Sequence, residues 1–301
     1  MMLRLAAIDI GSNAARLLIS EVTQQSGKPA SFNKITLLRI PLRLGFDVFD
    51  TGYISEYKTG LLLHTMQAYA HLVKAFEIEH IKVCATSAMR DAANTKELVE
   101  RIQSETGLRI QVITGSEEAS ILFENHIAET LAKDRSYLYI DVGGGSTETT
   151  FFSNGEIRFK ESFDIGTIRL LKGKVPDSAW NEMKQKLKQI AKANKNVTAI
   201  GSGGNINKVQ SLSRIKDGKP LPLSMLRDFY KELQNVSLQD RISVYKLRAD
   251  RADVIVPALQ IYIQAMQWSG AGEIVVPRIG LADGLIQQLW KETLDTTMAA
   301  G

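Results

Sequence analysis

The chain has little of what several classes of protein require. Among its 301 residues there is one cysteine, Cys84, so no internal disulfide can form, and this usage is typical of a reducing compartment. Cys84 lies in an apolar run, which favours a buried strand thiol over a nucleophile. The four histidines are not spaced as metal ligands. No apolar run approaches the ~20 residues of a membrane-spanning helix, and the N-terminus has no signal-peptide layout. We therefore expect a cytoplasmic protein with no membrane partner.

The chain also lacks a large excess of charge of either sign. The net charge of +4 is too small to indicate nucleic-acid binding, although it suits an anionic substrate. Arg39 and Arg43, close to Gly45, are candidates for a basic patch that faces such a substrate. The length and the hydrophobic content of 44% fit a folded chain of two domains.

A short motif occurs twice, as Asp9–Asn13 and as Asp141–Ser146. Each copy stands between two apolar runs, which predicts strand, tight turn and strand. A turn of this kind offers backbone N–H groups and a carboxylate to a phosphate and its metal. We therefore expect two similar lobes that grip one phosphate between them. The predicted lobes are 1–125 and 126–301, with the option that the last helix packs back on the first lobe.

Secondary-structure signals repeat in the same way. Three strands and then alternating helices and strands are predicted before residue 125, and three further strands begin near residue 136, so the fold class is α/β. Ser55 is the predicted N-cap of a long helix that ends near Phe76. Asn154 and Gly155 form a predicted hairpin turn.

The first copy of the motif carries a candidate metal ligand. Asp9 follows a strand, where its carboxylate can hold Mg²⁺ or its waters, or can simply form an Asx-turn. The neighbouring Gly11, Ser12 and Asn13 favour the functional interpretation, with Ser12 and Asn13 as phosphate donors.

The second copy is more specific. Gly143, Gly144 and Gly145 let the backbone approach phosphate oxygens closely, and Ser146 and Thr147 add donors. Glu148 is placed to orient a metal-bound water or to pair with a basic group.

Three other segments have two interpretations each. Thr86 and Ser87 open a helix and are predicted phosphate donors, while Arg90 either contacts phosphate or pairs with Asp91. In the turn 201–205, Gly203 and Asn205 line a phosphate or nucleotide site, or the turn is a plain connection. The pair Glu117–Glu118 complements a helix dipole, unless cleft geometry makes one of them a base that activates water.

These motifs, in their order, resemble the Ppx/GppA family of exopolyphosphatases and guanosine pentaphosphate phosphohydrolases. The segments that carry the resemblance are 9–13 with Arg16 and Leu17, 85–94, 113–119, 141–148 and 201–205. The resemblance implies two ribonuclease-H-like lobes of the actin/Hsp70/sugar-kinase type around a central cleft, and it makes a homodimer plausible. In this family a polar residue commonly stands where this chain has Phe46.

The resemblance also implies an activity, the Mg²⁺-dependent hydrolysis of a terminal phosphoanhydride. Glu118 matches the family's catalytic glutamate, and Asp141 and Glu148 match its acidic residues, with Asp9, Asp141 and Glu148 as metal ligands. Arg16 and Arg43 are the expected substrate-facing cations. Inorganic polyphosphate is the expected substrate, with guanosine pentaphosphate as the alternative. A kinase or a non-catalytic nucleotide-binding protein of the same fold is the more distant alternative.

Overall fold

The computed structural model describes residues 2–25, 27–123, 135–194 and 196–299. The chain divides into two compact units, Met1–Asn125 with Leu281–Gly301, and His126–Gly280. The lobe boundary predicted at residue 125 lies outside the described residues. None of the described helices is both long enough and apolar enough to cross a membrane.

The first unit is built on a five-stranded sheet in the order β3-β2-β1-β4-β5. Strands β1, β2 and β3 are antiparallel neighbours, whereas β4 and β5 run parallel to β1. Residues 5–10 of β1 are buried on both faces, as expected for a central strand in an α/β sheet. The strands are β1 (Met2–Ile10), β2 (Ala15–Thr23), β3 (Ser31–Ile40), β4 (His80–Ala85) and β5 (Ile110–Val112).

The described residues of the first unit form six helices. The predicted N-cap is confirmed, because the Ser55 side chain accepts a hydrogen bond from the amide of Lys58. The last helix of the chain belongs to this unit: Lys34 on β3 pairs with its Asp283 at 2.5 Å. The helices are α1 (Gly45–Thr51), α2 (Glu56–Ala75), α3 (Ser87–Asp91), α4 (Thr95–Thr106), α5 (Gly115–Phe123) and, at the end of the chain, α13 (Leu281–Ala299).

The second unit has a six-stranded sheet in the order β10-β11-β9-β6-β7-β8. Asn154 and Gly155 join β7 to β8 with φ values of 55° and 77°, which confirms the predicted hairpin and matches a type I′ turn. The strands are β6 (Ser136–Val142), β7 (Thr147–Ser153), β8 (Glu156–Phe163), β9 (Val197–Ser202), β10 (Leu221–Pro222) and β11 (Glu273–Val275).

Helix α12 (Ile255–Ser269) of the second unit is apolar and largely buried. Ten residues of α12 are buried, and its Trp268 meets Trp180 of α7 edge to face at 5.9 Å. The helices are α6 (Thr167–Leu171), α7 (Asp177–Ala193), α8 (Gly204–Ser213), α9 (Leu223–Gln234), α10 (Leu238–Ser243), α11 (Ala249–Ala252) and α12 (Ile255–Ser269).

The two sheets are copies of one topology. The order β8-β7-β6-β9-β11 repeats β3-β2-β1-β4-β5, with the same antiparallel and parallel pairings, and β10 is an added edge strand. This is the ribonuclease-H-like order that the resemblance implied, found twice in one chain. In both units the repeated motif therefore lies at the carboxyl end of a central parallel strand, where ligands bind in α/β sheets.

Candidate functional site

The β1–β2 turn of the first unit is closed by a hydrogen bond within its own backbone. Two further hydrogen bonds join it to the segment that follows β3. Gly11 donates its amide to the carbonyl of Ala14 at 3.0 Å. The carbonyls of Ser12 and Asn13 accept hydrogen bonds from the amides of Gly45 and Arg43, both at 2.9 Å. A carbonyl and the N–H of the same peptide point in opposite directions. The amides of Asn13 and Ala14 therefore point away from the segment that holds the turn.

The β4–α3 connection adds hydroxyl groups to this turn. Thr86 donates its amide to the carbonyl of Ile10 at 3.1 Å, and the hydroxyls of Ser12 and Ser87 lie 2.8 Å apart. All three of Ser12, Thr86 and Ser87 are buried. The structure thus brings together the hydroxyl donors that the sequence predicted for the first unit.

Arg16 and Asp9 form an ion pair across the β1–β2 hairpin. Arg16 Nη1 donates to Asp9 Oδ2 at 2.5 Å, and the two residues are direct register partners. The Asp9 side chain is 4% exposed and that of Arg16 is 34% exposed. The predicted basic residue and the predicted metal ligand are therefore bound to each other.

Arg43 follows the third strand and stacks on an aromatic ring. Its guanidinium carbon lies 3.8 Å from the centre of the Phe46 ring, within the range of a cation–π contact. Lys58 donates to the Arg43 carbonyl and pairs with Asp47 at 2.7 Å. Phe46, which departs from the family pattern, thus serves as a platform for the predicted substrate-facing cation.

Arg90 links helix α3 to the segment before α5. Its Nη1 donates to the carbonyl of Ile113 at 3.0 Å, and its Nε lies 3.9 Å from Asp91. Of its two predicted interpretations, the structure shows the pairing with Asp91, and the contact with phosphate stays a prediction.

The two adjacent glutamates of α5 have different surroundings. Glu117 accepts hydrogen bonds from the amide and the hydroxyl of Thr114 at 2.7 and 2.8 Å, so it caps its own helix. These bonds lower the pKa of Glu117 below its ordinary value. Glu118 is instead buried, with 8% of its surface exposed. The capping role thus belongs to Glu117, and Glu118 is the candidate for chemistry.

In the second unit, the three glycine carbonyls of the β6–β7 turn are all engaged. Gly143 first closes the turn by donating to the carbonyl of Ser146 at 2.9 Å. The carbonyls of Gly143 and Gly144 then accept from the amides of Thr167 and Ile168 at 3.0 and 2.8 Å. The carbonyl of Gly145 accepts from Arg169 Nε at 2.8 Å.

This arrangement orients the backbone donors of the turn. Because each carbonyl points toward residues 167–169, the N–H groups of Gly144, Gly145 and Ser146 point the other way. Successive amides that point to one side form a concave anion site. The second turn thus presents three hydrogen-bond donors, all of which are backbone N–H groups.

Gly166 makes this contact possible. A Cβ atom on Gly166 would lie 2.3 Å from the carbonyl carbon of Gly145 and 2.4 Å from that of Gly144. Neither Gly166 nor Arg169 was identified from the sequence. A glycine before a short helix indicates only an ordinary connection. The only local signal is the placement of Gly166 one residue before α6.

Two carboxylates flank the second turn. Asp141 and Glu148 are register partners on β6 and β7, with carboxylate oxygens within 4.8 Å of each other. Glu148 is 1% exposed and accepts a hydrogen bond from the Ser162 hydroxyl at 2.9 Å. Two like charges this close, one of them almost fully buried, are stabilised by a cation, and carboxylate oxygens are the ligands that Mg²⁺ prefers. The donor set therefore fits a divalent metal ion.

The hydroxyl of Thr147 makes a different hydrogen bond from the one predicted. Its hydroxyl donates to the carbonyl of Ile165 at 2.5 Å, and the side chain is completely buried. Since a hydroxyl has one proton, this bond argues against the predicted donation to phosphate. Thr147 instead helps to hold the segment that carries Gly166.

The 201–205 turn passes beside Asp141. Gly203 has a φ of 112°, and a Cβ there would lie 3.2 Å from Asp141 Oδ1. The preceding carbonyl of Ser202 accepts a hydrogen bond from Tyr262, a buried residue of α12. Burial, and then the charge of Asp141, raise the pKa of Tyr262 well above 10.0, so the phenol stays a donor. Asn205 stands in the first turn of α8, half-buried.

Comparison with known proteins agrees with the order of the motifs. Residues 18–292 match the Ppx/GppA phosphatase family. A bifunctional 3-dehydroquinate synthase/phosphatase from Fusobacterium nucleatum is 28% identical over 90% of this chain, which spans 44% of that relative's length. Exopolyphosphatase 1 of Mycobacterium bovis is 24% identical over 98% of this chain and 90% of its own.

A solved structure supports the fold as well. The crystal structure of the Aquifex aeolicus Ppx/GppA family member has a TM-score of 0.75 and 26% identity, and covers 97% of this chain and 99% of its own. The predicted fold class is thus confirmed. From the extent of the match, the chain belongs to the Ppx/GppA phosphatase family.

Proposed function

We propose that this chain is a Mg²⁺-dependent hydrolase that releases the terminal phosphate of inorganic polyphosphate. The observation that carries the proposal is the β6–β7 turn, where three backbone amides point to one side beside the carboxylates of Asp141 and Glu148. Amides suit phosphoryl oxygens, and carboxylates suit the metal ion that accompanies phosphates. Family membership supports a phosphoanhydride as the bond that is broken.

The residues predicted to bind phosphate keep that role in this proposal. The amides of Gly144, Gly145 and Ser146 contribute from the second unit, together with Gly203 and Asn205 of the next turn. The other predicted phosphate donors are Ser12, Asn13, Thr86, Ser87 and Arg90. Asp141 and Glu148 would hold Mg²⁺, and the ion would supply positive charge to the phosphoryl oxygens and the leaving group.

Glu118 acts as the general base in this proposal. Its carboxylate accepts a proton from a water molecule while the water oxygen forms a bond to the terminal phosphorus. The bridging P–O bond breaks, and the electron pair leaves with the shortened chain. The contrast with Glu117 supports this role, because Glu117 is committed to capping the helix while Glu118 is buried.

A substrate panel tests the proposal. Phosphate release is measured with Mg²⁺ and without any acceptor, on tripolyphosphate, long-chain polyphosphate, guanosine pentaphosphate and ATP. We expect release from polyphosphate, lost in E118Q and kept in E117Q. Release from guanosine pentaphosphate alone would assign the chain to the alternative substrate. Turnover that requires an acceptor hydroxyl would make the chain a kinase, and no turnover on any substrate would refute catalysis.

A cytoplasmic location and a homodimer are further parts of this proposal. The buried thiol of Cys84 suits a reducing compartment. Sedimentation of the full chain at several concentrations tests the dimer, and fractionation of cells tests the location.

A further inference from the structure

Strand β3 forms one edge of the first sheet, and it is long and rich in apolar residues. In the described part of the chain, β3 is the last strand on its side of the sheet, so its outer edge faces no other strand. It has ten residues, whereas about five or six are usual for a strand. An edge strand presents a row of N–H and C=O groups, and a long apolar edge is a site where another chain can pair.

Three large apolar side chains are exposed near the middle of this edge. Ile35 is 38% exposed, Leu37 is 55% exposed and Leu38 is 39% exposed. The register partners of Leu37 and Leu38 on β2 are Leu18 and Leu17, and both of these partners are buried. The layers that cover the sheet therefore end between β2 and β3, and the exposed apolar surface is confined to the outer strand.

The duplicated sheet contains the same edge strand with charged residues in place of apolar ones. Strand β8 is the equivalent edge of the second sheet, and both edges carry a register shift at the same place, after Ile19 on β2 and after Phe151 on β7. Counted from that shift, the positions of β8 equivalent to 35, 37 and 38 hold Arg158, Lys160 and Glu161. Charged side chains protect an edge from pairing. Since the shift is common to both edges, the difference between them is one of charge.

The two charged residues of β3 do not protect its middle. Lys34 pairs with Asp283 of α13 at 2.5 Å, so its charge is offset within the same unit. Arg39 lies near the end of the strand, and its Nε and Nη1 atoms are buried. The stretch from 35 to 38 is uncharged, and two copies of it can therefore meet without repulsion between like charges.

We infer that the outer edge of β3 is the interface of a homodimer, in which it pairs antiparallel with β3 of a second copy of this chain. The inference rests on the homodimer of the proposed function, and it adds the surface that forms it. Two identical strands that pair antiparallel are related by a twofold axis, so the contact closes with two copies. The charged edge at β8 offers no equivalent contact for further growth, which favours a closed dimer over a filament.

A second copy suits this edge because the edge is complementary to itself. Side chains directly opposite each other on antiparallel strands share one face of the sheet, where they contact each other. In a twofold pair centred within residues 35–38, each copy places its exposed apolar side chains beside those of the other. Apolar surface that is exposed in one chain is thereby removed from water in the dimer.

Sedimentation equilibrium of the full chain, without substrate, tests the interface. L37K gives β3 the charge that β8 has at the equivalent position, and it should weaken dimerisation by roughly 10²-fold, because each dimer then holds two like charges near its axis. L238K is the matched control, since Leu238 on α10 of the second unit is a leucine of similar exposure, at 49%. The control should dimerise as the wild type does.

Disulfide cross-linking locates the edge within the dimer. The variants I35C, T36C, L37C and L38C are oxidised with diamide and examined by gel electrophoresis; the natural Cys84 is buried. Two identical residues come within the span of a disulfide, roughly 4.4–6.8 Å between Cα atoms, only near the twofold axis. The yield should therefore peak at one or two adjacent positions and fall along the strand in both directions, and L238C should not cross-link.

Either a dimer that is unaffected by L37K or the absence of cross-links at all four positions would overturn the inference, and the homodimer would then need another surface. Wild-type protein that stays a monomer at every concentration would overturn both. If L37K does not fold, the cross-linking series decides the inference alone. Phosphate release is measured separately, so a chain that dimerises through β3 but releases no phosphate would refute the proposed hydrolysis and leave this inference standing.

Discussion

The main chain of Gly166 lies so close to Gly144 that a Cβ atom on Gly166 would be 2.4 Å from the carbonyl oxygen of Gly144. The contact joins the start of helix α6 to the β6–β7 turn, whose carbonyls it holds. The orientation of the turn's amides therefore depends on a residue that itself contacts no substrate in our proposal.

The first prediction concerns this contact. G166A should displace the turn by enough to lower the turnover of tripolyphosphate by about 10²-fold, because a shift near 1 Å misaligns the phosphate. The melting temperature should fall as well. G272A is the matched control, since a Cβ there meets nothing within 4 Å. Full activity in G166A would show that the turn's position is not critical.

A second prediction concerns Arg169, which is tied to the same turn. R169A removes the donor to the Gly145 carbonyl and should cost about 1 kcal/mol of unfolding free energy. Turnover should fall roughly tenfold, since the turn's amides lose their anchor. Chemical denaturation and steady-state kinetics measure the two effects, with R158A as the control. A variant with wild-type values in both would contradict the anchoring role.

The adjacent glutamates of α5 give a third prediction, one of pH dependence. The hydrogen bonds from Thr114 lower the pKa of Glu117, so its contribution to stability is present above its ordinary pKa of 4.5 and is lost as the pH falls through the lower, folded-state value. E117Q should therefore lack this acid-dependent component of the melting temperature. At neutral pH it should keep turnover within about twofold, because the cap lies outside the proposed chemistry. An identical acid profile for E117Q and wild type would argue against the cap.

Cys84 gives a fourth prediction, because it is buried beside Asp9 on the neighbouring strand. Burial, and next the charge of Asp9, raise the pKa of Cys84 from 9.0 to about 12. At pH 8 the folded protein should not react with a thiol reagent such as 5,5′-dithiobis(2-nitrobenzoate), whereas the unfolded protein should react fully. Stability should also fall as the pH rises from 9 towards 12, since only the unfolded chain ionises there. Fast labelling of the native protein would contradict this burial.

Much of the fold was predictable because its signals are local. The two glycine turns between apolar runs, the Ser55 cap and the Asn154–Gly155 hairpin each depend on a few neighbouring residues, and the structure contains all of them. Helix α1 was missed, because its first residue is a glycine, a poor helix former that indicates a turn.

The site was less predictable because its decisive contacts join distant residues. Sequence alone does not separate Glu117 from Glu118, since the difference is one of capping and burial. The bond from Thr147 to Ile165 and the approach of Gly166 to Gly144 span about twenty residues. The pairing of Asp9 with Arg16 required the register of the hairpin, which the pattern of apolar residues does not specify to one residue.

The most direct test of the proposed hydrolysis is phosphate release from tripolyphosphate, compared between the wild type and E118Q in the presence of Mg²⁺. The account predicts that the wild type releases phosphate without an acceptor. It also predicts that E118Q loses roughly 10²- to 10⁴-fold in rate while binding tripolyphosphate within about twofold of the wild type. Near-wild-type release by E118Q would contradict it.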